Sequence, residues 1–209
     1  MSNIAIKGAT TGTGVFTLES PATNTDRTLV LPDEAGTVLT TAGVPTSAMP
    51  AGSVLQVVST TLPTTFSMSG ASFVTITGLT AAITPISTTS KILVRVSIGR
   101  VAPNINLGGT VAFRLLRDST AIGTGTPSGS QIGTSFVASV STNGNYVGGG
   151  FAFEYLDSPS SISAITYGVQ VLGESSVLVY INRSYTGGTT STTYDSLSAS
   201  TITLMEIAA

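Results

Sequence analysis

The clearest pattern in the chain lies at residues 91–98, where Ile92, Val94, Val96 and Ile98 alternate with Lys91, Leu93, Arg95 and Ser97. A period of two puts successive side chains on opposite faces of a β-strand. The same alternation runs through Ile165, Tyr167, Val169 and Val171, and through Val177, Val179 and Ile181. Residues 54–58, 73–76, 111–117, 151–155 and 202–207 complete a set of about eight strands, separated by Gly-, Pro- and Ser-rich turns. Phe151, Phe153 and Tyr155 share one face of theirs. No amphipathic helical stretch runs longer than about two turns. This spacing predicts an all-β chain folded as an antiparallel jelly-roll-type β-sandwich. The neighbours Leu115 and Leu116, and Leu178 between Val177 and Val179, put apolar groups on both faces of a strand. The outer face of a lone sandwich is polar, so some of these second faces are expected to be buried against another copy.

Ahead of the head lies a different kind of segment. Residues 1–44 read as a short β-rich N-terminal arm, with strands at 15–19, 28–31 and 37–40. Pro32-Asp33-Glu34-Ala35-Gly36 supplies a turn between the last two. Strands this short do not close a core alone. Residues 45–53, with Pro45 and Pro50, read as a linker, and residues 54–209 as the jelly-roll head.

Composition narrows the chemistry. Charged residues are 9% of the chain and the net charge is −2. Hydrophobic content is 41%, so the chain has the means to fold. Sparse charge does little to keep copies apart, which points to surface buried between chains. There is no His and no Cys. That removes imidazole bases, thiol nucleophiles and the usual zinc ligands, and no cofactor is expected. Glu154 and Asp157 are the nearest carboxylate pair outside the arm; glycosidases work with two such groups, but a solvated strand end and its turn are the expected reading of these. The Gly8–Gly14 run lacks the Gly-Lys-Ser/Thr ending of a phosphate loop, and Gly148-Gly149-Gly150 leads straight into a strand. Asn182-Arg183-Ser184 matches a glycosylation acceptor without a secretory context. The eight basic residues form no cluster, so no nucleic-acid partner is expected. No apolar run approaches the length of a membrane span, and Met1–Lys7 lacks the shape of a signal peptide. Assembly in a cytoplasm is expected.

The long loops fall at residues 99–109 and 183–199. The second holds Arg183, Tyr185, Tyr194 and Asp195 in a Gly/Thr background, a candidate surface-binding loop. Tyr rings stack on sugar faces, so a host surface glycan is a plausible ligand class.

Gly12–Leu18, Pro21–Asp33 and Ala35–Val38 resemble the N-terminal arm of tail-fibre and related virion proteins of phages of aquatic bacteria, cyanophages included. Gly52–Val58, Ser72–Leu79, Thr89–Val94, Phe113–Asp118 and Ile202–Ile207 resemble the C-terminal domain of the same group. The resemblance implies an attachment arm that joins other virion proteins and a trimeric head similar to tumour necrosis factor-like jelly rolls. It implies a short, non-enzymatic virion fibre assembled in the host cytoplasm. The absence of a shaft repeat keeps open a capsid decoration or cement protein, or a head fibre. A small glycan-degrading spike is the enzymatic alternative.

Overall fold

The computed structural model describes residues 49–104, 109–140, 148–175, 177–185 and 195–209, with isolated positions before residue 49. By its internal contacts the chain divides into two units, residues 1–42 and 43–209. In the first unit, Val15, Thr17 and Thr28 lie outside any strand, and the rest of the three expected arm strands lies outside the described residues.

The second unit is all β, as its alternating patterns require. In chain order its strands are β1 (Val54–Leu62), β2 (Phe66–Ser69), β3 (Val74–Ile83), β4 (Lys91–Pro103), β5 (Gly109–Arg117), β6 (Thr120–Ile122), β7 (Phe136–Val140), β8 (Gly149–Asp157), β9 (Ile165–Leu172), β10 (Leu178–Ile181) and β11 (Ser200–Ile207). Every pairing is antiparallel. One sheet runs β8-β4-β11-β1. Val101 of β4 pairs with Gly149 on one side and Ile181 on the other, so β10, with β2 beyond it, lies on the β11 side of β4. The other sheet runs β3-β9-β5, with β7 and β6 sharing the far edge of β5. Leaving out the short β2, β6 and β10, the eight main strands in chain order form the sheets 6-3-8-1 and 2-7-4-5. That is the jelly-roll connection, two Greek keys folded onto each other.

The core between the sheets comes from the alternating positions. Ile92, Val94, Val96 and Ile98 of β4 are fully buried, as are Ile202 and Leu204 of β11. They meet Phe113 and Leu115 of β5, Tyr167, Val169 and Val171 of β9, and Ile76 and Leu79 of β3. One open side is closed by rings. Phe136 of β7 stacks on Phe153 of β8 with centroids 5.4 Å apart, and it also meets Phe113 and Phe151.

Two departures from the expected pattern have local causes. The loop expected from residue 99 begins only after Pro103, because β4 continues through an irregularity between Ile98 and Val101. Gly99 sits in it under the chain near residue 199; a Cβ there would lie 2.5 Å from the Ala199 carbonyl oxygen. The second departure concerns Leu116, expected to need another copy to cover it. It is buried within the single chain, paired with Gly168 and Ala121, as is Leu115 in the core. Leu178 stays partly exposed.

Candidate functional site

The loop proposed for recognition begins and ends in one place. Ser184 Oγ donates to Asp195 Oδ1 at 2.7 Å, which joins its two described ends. The Arg183 guanidinium lies over the ring of Tyr180, 4.6 Å from its centroid, and Arg183 Nε donates to the Ser184 carbonyl. The Tyr185 ring is tilted against Tyr180 at 5.9 Å. Arg183, Tyr185 and Asp195 are half-buried, and Tyr194 lies outside the described residues. Tyr180, not among the expected site residues, is therefore the ring on which the loop base rests. Its signal in the sequence is its place between the inward Val179 and Ile181, which turns it to the outer face next to the loop.

Asn182 just before the loop is a structural hub. It is fully buried with φ of 65°, and its amide donates to the carbonyls of Leu62 and Thr64 at 2.9 and 3.0 Å. Its side-chain oxygen accepts from Ser200 Oγ at 2.7 Å. A glycan on this nitrogen would require all of these contacts to break, which removes the acceptor reading of Asn182-Arg183-Ser184 in the folded head.

The two candidate acids do not form a pair. Residues an odd number apart in a strand face opposite ways, and Glu154 and Asp157 both lie in β8. Glu154 faces outward, 3.4 Å from Arg95, with both side chains largely exposed. Asp157 faces inward and is buried. Arg117 NH1 donates to both its oxygens at 3.1 Å, and the Tyr167 hydroxyl donates to it at 2.7 Å. Burial first, then the bond to Asp157, pushes the Tyr167 phenol far above its ordinary range. Among the described residues no group of three or more His, Cys, Asp or Glu could hold a metal ion.

The outer face of the β8-β4-β11-β1 sheet carries a feature visible only once the register is known. Val57 pairs with Met205, Met205 with Leu93, and Leu93 with Leu156. All four face outward, so one apolar row crosses four strands. Val57 is 56% and Leu156 47% exposed, with Met205 and Leu93 between them half-buried. The next row is Ser59, Thr203, Arg95 and Glu154, and the one after it Thr61, Thr201, Ser97 and Ala152. The face thus combines an apolar stripe with hydroxyls and the Arg95–Glu154 ion pair, and Lys91 lies exposed on the stripe's other side. A shallow groove of about 590 Å³ lies along it beside Arg95, Thr203 and Met205.

No family model matches this chain, and no curated protein matches it. Among solved structures it is similar to a chain of the crystal structure of the T13 IBDV viral particle, at 15% identity and a TM-score of 0.33. The match covers 74% of this chain but only 36% of that one. A likeness of that order assigns no function.

Proposed function

We propose that this chain is a non-enzymatic structural protein of a phage virion: a short trimeric fibre that attaches through residues 1–44 and exposes its jelly-roll head for host contact. The observation that carries the reading is the outward row Val57–Met205–Leu93–Leu156. A contiguous apolar stripe bordered on one side by polar rows is the signature of an interaction surface. Its surroundings suit self-association, because Arg95 and Glu154 cancel each other and Lys91 alone adds a charge beside the stripe. Closed rotational symmetry would cover the stripe in every copy. The low overall charge and the resemblance of the arm to virion attachment segments support the same reading. The opposed orientation of Glu154 and Asp157 weighs against a two-carboxylate glycan hydrolase.

A second reading, a capsid decoration or cement protein or a head fibre, has one observation in its favour. No repeat that could form a shaft stands between the arm and β1. Immunogold labelling of intact particles tests both, since an antibody to the head should decorate projections at the tail or a vertex. Label spread over the capsid surface selects the second reading, and particles without label refute the virion assignment.

A further inference from the structure

The segment at residues 84–90 carries the chain from β3 in one sheet to β4 in the other, and of its apolar residues Pro85 is buried. Ile86, its largest apolar residue, is 48% exposed. Its anchor is polar. Ile86 N donates to Glu206 Oε1 at 2.7 Å, and Gln56 Nε2 donates to Glu206 Oε2 and to the Thr84 carbonyl. The buried Ser90 hydroxyl sits beside the same carboxylate, short of full hydrogen-bond geometry. Glu206 is itself completely buried, and among the described residues no cation pairs with it. Neutral donors alone therefore solvate this charge. The latch also sits where the chain enters the head, since Gly52 N and the Ser53 carbonyl both bond to Ala208 at 2.8 Å, two residues beyond Glu206.

We propose that Glu206 is an acid-released latch on the 84–90 segment. As a carboxylate it accepts from Gln56 and Ile86 at once. A proton taken from solvent turns one oxygen into a donor that faces a donor. One anchor is then lost, and the segment loosens while the two sheets stay paired. Loosening opens the small groove now formed by Leu55, Ile86, Ser90 and Ala208, beside the start of β1. Few titratable groups surround Glu206, the carboxylate of Ala209 on the same groove being one. β1, β3 and the segment itself carry no titratable side chain, and Lys91 and Arg95 of β4 face outward. On the inward side the nearest such groups are Asp157 and its partners Arg117 and Tyr167, beyond Ile92.

The direction of the effect follows from the carboxyl group's environment. Burial alone would raise its pKa, but the hydrogen bonds from Gln56 and Ile86, with the nearby donors of Ser90 and Ser87, outweigh that and hold it below the ordinary value of 4.5. A depressed folded value means that the latch contributes above the unfolded value and is lost as pH falls through the folded one.

Amide hydrogen exchange of the full chain between neutral and acid pH, corrected for intrinsic rates, tests the latch. Protection of the Ile86 amide should drop about tenfold on acidification, the loss of one hydrogen bond to a charged group. Val94 and Ile202 should keep theirs. Glu206→Gln should show the lowered Ile86 protection already at neutral pH, with no further acid response. Gln56→Ala, which removes a donor to the carboxylate together with the bond to the Thr84 carbonyl, should move the acid midpoint upward, and Asp157→Asn should leave it in place. Wild-type protection of Ile86 in Glu206→Gln, or an unmoved midpoint in Gln56→Ala, overturns the proposal. So does an acid response that appears equally in the core amides.

Discussion

Glu206 and Asp157 face inward from the same cross-strand row, one on each side of Ile92: Gln56 pairs with Glu206, Glu206 with Ile92, and Ile92 with Asp157. Two buried acids thus flank one apolar residue at the end of the sandwich where β1 begins. They are held by different chemistry, Glu206 by neutral donors and Asp157 by Arg117 and a phenol.

The Asp157 cluster ties β8 in one sheet to β5 and β9 in the other. Tyr167→Phe should destabilise the head by about 1.5–3 kcal/mol, the range for a hydrogen bond to a charged group. Asp157→Ala should cost more, because it strips Tyr167 and Arg117 of a shared acceptor; partial exposure of Arg117 moderates the loss. Urea unfolding of both variants checks the order. Equal stability of wild type and Tyr167→Phe would mean that the phenol contributes nothing to the clamp.

The same phenol sets an alkaline limit. Its folded pKa is raised, so its contribution is complete below the unfolded value of about 10 and declines as pH rises above it. In wild type, stability should fall above that point while Tyr167 itself stays un-ionised in the folded head. Tyr167→Phe should show a shallower decline in urea melts across the same range.

Asn182 combines a left-handed backbone with three buried hydrogen bonds from its side chain. Asn182→Ala should cost about 2–4 kcal/mol, from unsatisfied buried partners and a disfavoured φ. Asn182→Gly loses the same hydrogen bonds but avoids the backbone cost, so it should be the milder of the two. Thermal melts of the pair separate the contributions.

Arg183 and Tyr185 pack on Tyr180 at the loop base, outside the core between the sheets. Arg183→Ala and Tyr185→Ala should each change stability by less than about 1 kcal/mol. Particles carrying them should adsorb to the host more weakly. Unchanged adsorption would take the loop base out of host contact.

Much of the sandwich is legible in the sequence because period-two alternation reports a strand with one buried face. Ile92 to Ile98 and Ile165 to Val171 are read correctly down to the inward residues. The pattern fails where the backbone departs from period two. Ile98 and Val101 both face inward although three apart, so the end of β4 resembles a loop. β2, β6 and β7 are too short for their alternation to stand out. The odd spacing of Glu154 and Asp157 already places them on opposite faces. Other features depend on register, which no single segment encodes. Leu93, Met205, Val57 and Leu156 become one row only when four strands are aligned, and Glu206 meets Gln56 and Ile86 across 150 and 120 residues of chain.

The mass of the full chain in solution at micromolar concentration, measured by light scattering, tests the central claim most directly. The outward row should hold three copies together, giving three times the 21.1 kDa chain mass. Leu93→Glu, which puts an unpaired charge in the middle of that row, should be folded and monomeric. A stable wild-type monomer, or a Leu93→Glu variant that keeps the wild-type mass, would contradict the account.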